Sequence, residues 1–146
     1  MTQIKRIQKE QIPQVAQLWL NTASAIKAHS FIEPSYWADY RKTMQEMALK
    51  NVETFALFED EALLGFSCVD AENGIDAFFI DPAHQRRGLG RELMSFLQSE
   101  YAILHLNVYA ENKDALFFYT YQGFLIDGAT YNATHAQVEY TMLWNE

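Results

Sequence analysis

Three arginines and two glycines lie close together in the middle of the sequence, at residues 85–91. An apolar, strand-like run ends at the turn residue Pro82 just before them, and a helical pattern of apolar residues follows directly. Glycines let backbone N–H groups face a ligand, and a helix N-terminus adds a partial positive charge. This segment therefore predicts an anion-binding turn, here for a phosphate-bearing ligand. An ordinary strand-to-helix connection with a solvated basic face is the alternative.

Two common phosphate-binding motifs do not fit this turn. A dinucleotide-binding fingerprint needs a third glycine, and Leu93 stands where that glycine should follow Gly88 and Gly90. A P-loop ends in Gly-Lys-Ser/Thr, and the sequence contains no such tripeptide. The phosphate site is therefore of another kind.

The turn resembles the acyl-CoA signature of the GNAT superfamily of N-acetyltransferases, Gln/Arg-x-x-Gly-x-Gly/Ala after an apolar strand and a proline turn. A second segment at residues 106–119, followed by Gly123 and Phe124, looks like the family's fifth strand, its next helix and the Tyr-x-x-x-Gly-Phe ending. Both motifs occur in the family's order and cover roughly the C-terminal half. The small single-domain bacterial members are most similar, since Trp19 and the segment 29–32 match their N-terminal half.

The resemblance implies acetyl-CoA as the cofactor, with its pantetheine arm lying between two parted parallel strands, here 74–80 and 103–108. Backbone groups of Phe78, Phe79 and Ile80 would bond the arm and the acetyl oxygen. Asn112 would cap the following helix and also bond the arm. The remaining cofactor residues, which include those at the pyrophosphate, would be Gln85, Arg86, Arg87, Gly88, Leu89, Gly90 and Arg91. No metal ion is predicted.

Tyr119 is the residue that the resemblance assigns to protonation of the leaving thiolate. A phenol with an ordinary pKa of about 10 stays protonated at neutral pH, and a thiolate whose conjugate acid has a pKa near 8.5 can take its proton. Asn112 lies seven residues earlier, so both side chains fall on one helix face. Alternatively, Tyr119 is one more aromatic of the packed row 117–121.

The general base is not fixed by the resemblance. Related enzymes often place a glutamate on one of the two parted strands, but the matching positions here are Gly74 and Asn107. Asp76, Glu111 and His29 are conceivable replacements. Asp76 shares a strand face with Gly74, and His29 has the right ordinary pKa. A base acting through ordered water, or an amine that arrives neutral, remains equally open.

The expected activity is acetyl-CoA-dependent transfer of an acetyl group to a primary amine by direct attack. The amine could belong to a small molecule, a protein lysine or a protein N-terminus. A non-catalytic acyl-CoA-binding or sensing module is the alternative, and a nucleotide-binding α/β enzyme is a third. The acceptor region implied by the family carries Phe31, Ile32, Tyr36, Trp37, Tyr131 and His135, with Glu33 and Asp39 as acidic rims.

These residues need a scaffold of strands and helices, which hydrophobic periodicity and turn residues predict. Strands are expected at 2–7, 55–58, 63–69, 74–80, 103–108, 124–127 and 137–143, and helices at 12–25, 34–50, 89–97 and 112–121. A connector is expected at 26–33. Their order matches the acyl-CoA N-acyltransferase fold, a mixed α/β (α+β) arrangement with a mostly antiparallel sheet and a central splayed parallel pair.

Length and composition limit the remaining possibilities. The 146 residues fit one domain, 1–146. The net charge of −8 argues against a nucleic-acid partner. The single cysteine, Cys68, is compatible with a reducing cytosol and is expected to be buried. Membrane-length apolar runs and a secretion signal are absent, so a cytoplasmic location is expected. A monomer and a homodimer fit equally well.

Overall fold

A computed structural model describes residues 1–25 and 52–146. Within these ranges the chain forms seven strands and three α-helices: β1 (Thr2–Arg6), α1 (Ile12–Ala25), β2 (Val52–Glu59), β3 (Ala62–Asp70), β4 (Ile75–Ile80), α2 (Leu89–Glu100), β5 (Ile103–Tyr109), α3 (Lys113–Tyr121), β6 (Leu125–Asn132) and β7 (Gln137–Asn145). The helix expected at 34–50, the connector at 26–33 and the candidate base His29 lie outside the described residues.

The strands form two antiparallel sheets with the orders β1-β2-β3-β4 and β5-β7-β6. Strands β4 and β5 face each other across the two sheets, where a single parallel bridge joins Gly74 to His105. Beyond that bridge no ladder connects them in the described part of the chain. The expected splayed parallel pair is therefore present, and with it the mixed α/β fold.

A β-bulge on β4 explains where the two strands part. Cys68 pairs with Ala77 but Val69 pairs with Ile75, so Asp76 is the extra residue on its strand. A bulge bends its strand and increases the local twist. Because the bulge follows directly after the bridge at Gly74, β4 turns away from β5 at this point and a gap opens between them.

The turn before β4 fixes the closed end of this gap. The Asp70 carboxylate accepts hydrogen bonds from the backbone N–H groups of Glu72 (2.9 Å) and Gly74 (2.8 Å). The Asn73 amide donates to the carbonyl of Ile103 (2.9 Å), and the carbonyl of Asn73 accepts from the His105 N–H (3.1 Å). Both sheets are thus held together at the start of β4 and β5.

The hydrophobic core lies on both sides of the sheets. Helix α1 packs Val15 and Trp19 against Phe66, Cys68 and Ala77. Helices α2 and α3 cover the other face, where the buried side chains include Met94, Leu97, Leu104, Leu106, Val108, Phe124 and Met142. The expected burial of Cys68 is confirmed, and burial raises the pKa of its thiol to about 11.

Within residues 1–25 and 52–146, the predicted strands and helices are confirmed apart from several boundaries. Strand β6 was expected at 124–127 but runs from Leu125 to Asn132 along the edge of its sheet. Polar residues and Gly128 concealed its second half, which is held by pairing with β7 rather than by burial of its own side chains. In the described part of the chain, no helix is long and apolar enough to cross a membrane.

Candidate functional site

An open cleft of about 1000 Å³ lies beside the free edge of β4, between the N-terminal end of α2 and helix α3. Among the described residues, its lining combines β4, the anion turn, the start of α2, helix α3 and Thr22 of α1. The residues that carry the following description are Thr22, Phe78, Ile80, Gln85, Arg86, Gly88, Leu89, Gly90, Arg91, Asn112 and Tyr119. Most of the expected cofactor residues are therefore brought together in one place.

The β4 edge offers backbone hydrogen-bonding groups from alternate residues. The Asp81 N–H donates to the Leu64 carbonyl across the ladder with β3 (2.7 Å). Because backbone groups alternate sides along an antiparallel strand, those of Phe79 face β3 and those of Phe78 and Ile80 face the gap. Phe79 lies outside the cleft, and its ring packs against Phe66 on the α1 side (5.7 Å between centroids). Of the three β4 residues that were predicted to bind the pantetheine arm, Phe78 and Ile80 are therefore the two whose backbone groups face the gap.

Two residues of the anion turn have left-handed backbone conformations. Arg86 has a φ of 69° and Gly88 a φ of 80°. Gly88 is the N-cap of α2, so the first N–H groups of that helix face the cleft. The Gln85 side-chain amide donates to the carbonyl of Ile80 (3.1 Å) and ties the turn to the end of β4. An alanine at position 90 would bring its Cβ to 3.2 Å from the Phe118 ring, so Gly90 permits close packing of α2 and α3.

The three arginines of the turn have different surroundings. Arg86 and Arg91 line the cleft. Arg87 instead donates to the carboxylate of Glu59 at the end of β2 (2.7 Å), and this hydrogen bond and the arginine's charge lower the pKa of Glu59. The side chain of Arg87 therefore pairs with the neighbouring hairpin, and its expected place at the pyrophosphate stays a prediction.

Helix α3 presents Asn112 and Tyr119 to the same cleft, as their spacing predicted. Asn112 is the N-cap, and its side-chain oxygen accepts from the Ala115 N–H (3.2 Å). The Tyr119 ring lies edge-on to Phe78 (6.1 Å) and Phe124 (5.8 Å). Burial among these rings raises the pKa of the Tyr119 hydroxyl, so that it stays protonated at neutral pH.

The carboxylates of Asp70 and Asp76 form a pair where β4 and β5 part, on the sheet face that carries α1. Along β5, Leu104, Leu106 and Val108 point into the core of α2 and α3, so His105 and Asn107 point to the opposite face. Partial burial and the neighbouring Asp70 charge raise the pKa of Asp76 to about 6. Burial also acts to raise the pKa of Asp70, but the amides of Gly74 and Glu72 outweigh it and the pKa is lowered.

The two positions at which the family resemblance implies a glutamate hold Gly74 and Asn107 here. A Cβ on Gly74 would lie 2.7 Å from an Asp70 carboxylate oxygen and 2.9 Å from His105, so a side chain at this position would require those two side chains to move. The Asn107 side-chain oxygen accepts from the Thr141 hydroxyl (3.0 Å). Glu111 lies at the exposed rim of the cleft.

The two expected acceptor residues of the last hairpin have different surroundings. Tyr131 is exposed, and His135 lies edge-on to Tyr109 (6.0 Å between ring centroids). The other acceptor residues that the sequence indicated, at 31–39, lie outside the described residues. Thr22, which sequence reasoning missed, lines the cleft from α1.

Comparisons with known proteins agree on one family. A family model of the acetyltransferase (GNAT) domain matches residues 19–139. The peptidyl-lysine N-acetyltransferase YiaC of Escherichia coli (strain K12) is 35% identical over 123 residues, which cover 84% of this chain and 83% of that protein. Apo YjaB from Escherichia coli has a TM-score of 0.82 at 22% identity, covering 99% of this chain and 97% of that one. PaiA N-acetyltransferase from Thermoplasma acidophilum, in complex with coenzyme A, has a TM-score of 0.78 at 13% identity, covering 100% and 99%.

Proposed function

This chain belongs to the GNAT family of acetyltransferases, and from that premise we propose that it acetylates the ε-amino group of lysine in peptides or proteins with acetyl-CoA bound in the cleft beside β4. Family membership makes it an N-acetyltransferase acting on amines. The peptidyl-lysine acceptor is proposed from the name of the 35% identical relative. The observation that carries the proposal is the joint lining of one cleft by the free β4 edge, the anion turn and Tyr119.

The residues of the cleft fit acetyl-CoA in polarity and order. The diphosphate requires cations and N–H donors, which Arg86, Arg91 and the start of α2 provide at one end. The pantetheine arm carries amide groups, for which Phe78 offers a backbone donor and acceptor outside the β3 ladder and Ile80 a backbone donor, while the Ile80 carbonyl already accepts from Gln85. A backbone site of this kind needs small residues in the turn, and Gly88 and Gly90 supply them.

The proposed chemistry divides between two groups. A lysine amine has an ordinary pKa of about 10.4, so it must lose a proton before it can attack the thioester carbonyl. Asp76, with a pKa of about 6, is ionised at neutral pH and accepts that proton directly or through water. When the C–S bond breaks, the Tyr119 hydroxyl donates its proton to the departing sulfur.

The charge of the acceptor side supports a cationic substrate. Asp70 and Asp76 lie together at the point where the strands part, and Glu72 is exposed in the turn beside them. The whole chain carries a net charge of −8. Such a field attracts a protonated lysine and disfavours an acidic acceptor. A cytoplasmic location is part of the same proposal, since the coenzyme and a reduced Cys68 both belong there.

A thiol-release assay with matched acceptors tests the proposal. The purified protein and acetyl-CoA are mixed with an N-terminally blocked peptide that has one lysine, with the same peptide carrying arginine instead, and with a peptide whose only amine is its N-terminus. The lysine peptide alone should release free thiol above background. Release with the N-terminal amine alone would contradict the proposed acceptor and leave the acetyltransferase activity intact.

Calorimetry separates the cofactor from its competitors. Acetyl-CoA should bind, whereas ATP and NAD should bind at least tenfold more weakly. ATP or NAD binding as tight as that of acetyl-CoA would instead support the nucleotide-binding alternative. A protein that binds acetyl-CoA but transfers nothing to any amine would be the acyl-CoA-sensing module, a reading that leaves the placement of Tyr119 in the cleft unexplained.

A further inference from the structure

One buried hydroxyl of the described chain differs from the others. Three polar side chains are buried: Thr22, Thr54 and Ser67. Thr54 shares a hydrogen bond with the Cys68 sulfur (3.4 Å), and the Ser67 hydroxyl donates to the Ala77 carbonyl (2.8 Å). Thr22 is only 2% exposed, and its Oγ1 has no hydrogen-bond partner in the part of the chain that the structure describes.

The position of Thr22 in α1 places its unpaired hydroxyl beside the cleft. A threonine within a helix can bond the carbonyl four residues earlier, which here is that of Leu18, but Thr22 does not. It lies one turn after Trp19 on the buried face of α1 and lines the cleft that also holds Phe78, Asn112 and Tyr119. A buried, unpaired hydroxyl destabilises the protein and needs an explanation, such as a ligand that completes it.

We propose that the Thr22 hydroxyl hydrogen-bonds the acyl-pantetheine arm of the bound coenzyme, at an amide or at the acyl oxygen. This inference rests on the proposed function for its ligand. The arm has amide and thioester carbonyls at intervals along an otherwise apolar stem. The β4 edge satisfies such groups on one side of the cleft, and Thr22 supplies a polar group from the α1 side. The hydroxyl thereby gains the partner that it lacks without ligand.

Thr22→Val tests the proposal because valine keeps the shape and removes only the hydroxyl. Without ligand, the variant should unfold at a higher temperature than the wild type, since no unpaired hydroxyl is buried. In calorimetry it should bind acetyl-CoA about threefold to tenfold more weakly, as expected for the loss of one hydrogen bond. An equal loss for free CoA assigns the bond to an arm amide, whereas a loss for acetyl-CoA alone assigns it to the acyl oxygen.

Two control variants separate the hydroxyl from general effects of packing. Thr22→Ser keeps the hydroxyl and removes the methyl group, so it should lose stability and keep the coenzyme affinity. Thr54→Val removes a buried hydroxyl that already has a partner and lies outside the cleft lining. It should lose stability and keep the coenzyme affinity. Thr22→Val is therefore expected to differ from both controls in both measurements, with a gain in stability and a loss of coenzyme affinity.

Two results would overturn the inference. The first is an unchanged dissociation constant of Thr22→Val for both CoA and acetyl-CoA. The second is a higher KM for the lysine peptide with unchanged coenzyme affinity, which would assign the hydroxyl to the acceptor. Because the readout is coenzyme binding, an error in the proposed lysine acceptor leaves this test intact.

Discussion

The two ends of the cleft differ in how far their polar groups are exposed to water. At the phosphate end the turn offers backbone N–H groups and the exposed side chains of Arg86 and Arg91. At the acyl end the polar groups of the cleft lining are withdrawn from water: burial raises the pKa of Tyr119, and Thr22 keeps a hydroxyl that is unpaired within the described part of the chain. Asp76 lies outside that lining, where β4 and β5 part, and desolvation together with the Asp70 charge raises its pKa to about 6.

This difference separates binding from chemistry. Exposed cations and helix-end amides remain solvated without a ligand, so exposing these charged and polar groups costs the fold little. Groups that are withdrawn from water destabilise the free protein but interact more strongly with a substrate. Substitutions at the acyl end should therefore change turnover and often raise stability, whereas substitutions at the phosphate end should change affinity or stability alone.

The largest effect is expected for Tyr119→Phe. The phenylalanine keeps the ring contacts with Phe78 and Phe124 but cannot donate a proton to the leaving sulfur. General-acid catalysis contributes about 10²–10⁴-fold, so kcat should fall by about that factor in steady-state thiol-release assays. The dissociation constant of acetyl-CoA should stay within about twofold of wild type.

Tyr101→Phe is the matched control, because Tyr101 lies outside the cleft lining and its hydroxyl donates to the Glu53 carboxylate (2.8 Å). Its kcat should remain near that of wild type. Equal turnover by Tyr119→Phe and the wild type would remove the hydroxyl from the mechanism and make the acyl end a binding region like the phosphate end.

The next effect is expected for Asp76→Asn. An amide cannot accept the proton of the amine, so kcat/KM at pH 7 should fall about tenfold to hundredfold. In the wild type, kcat/KM should rise with pH through about 6, the pKa of Asp76. That rise should be absent from the variant, whose rate should instead follow the ionisation of the acceptor amine. The same rise in both proteins would assign the base to another group.

Asp76 should also lower the stability of the folded protein at neutral pH. The pKa of about 6 in the folded state exceeds the ordinary value of 3.8, so the folded protein holds more protons between these values. The contribution of Asp76 to stability therefore falls as pH rises through this window and is least favourable above about 6. Thermal melts at pH 7.5 should show Asp76→Asn unfolding at a higher temperature than the wild type, with the difference shrinking towards pH 4.

Local patterns were enough to predict most strands and helices of the described chain, whereas the arrangement of the strands was expected from the family resemblance. Turn residues and periodicity located these elements, since Pro82, Asn112 and Gly123 mark boundaries by their own local chemistry. The extent of β6 was missed because pairing with β7 holds an exposed, polar strand that has no amphipathic pattern. The bulge at Asp76 could not be read either, because it depends on the register between two strands.

The parts of the candidate site that backbone conformation determines could be predicted from the sequence. The parts that depend on which side chains pair with each other could be predicted less well. Glycine spacing located the turn, and helix spacing placed Asn112 and Tyr119 together. The pairing of Arg87 with Glu59 joins residues 28 positions apart, which no local pattern shows. Thr22 left one readable sign, a polar residue within the apolar stripe of α1, but its missing partner required the packed structure.

A smaller effect should distinguish two arginines of the phosphate end. Arg91 lines the cleft, so Arg91→Gln should weaken acetyl-CoA binding about threefold to tenfold at low salt, and less at high salt because ions screen exposed charges. Arg87→Gln is the control, since that guanidinium pairs with Glu59, and its affinity should change less than twofold. Calorimetry at two salt concentrations measures both. An equal loss for the two variants would mean that net charge, rather than placement, sets the affinity.

The smallest effect tests whether the backbone of the turn is itself constrained. Gly88 and Gly128 both have open space where a Cβ would stand, but Gly88 alone of these two has a positive φ, at 80°. Gly88→Ala should therefore lower the free energy of unfolding by about 1–2 kcal/mol, the cost of an L-residue in the left-handed region. Gly128→Ala should leave it within about 0.5 kcal/mol. Urea denaturation measures both. Equal stability of the two variants would mean that the turn relaxes out of its left-handed form, and that the amides at the start of α2 are not held ready for the phosphate.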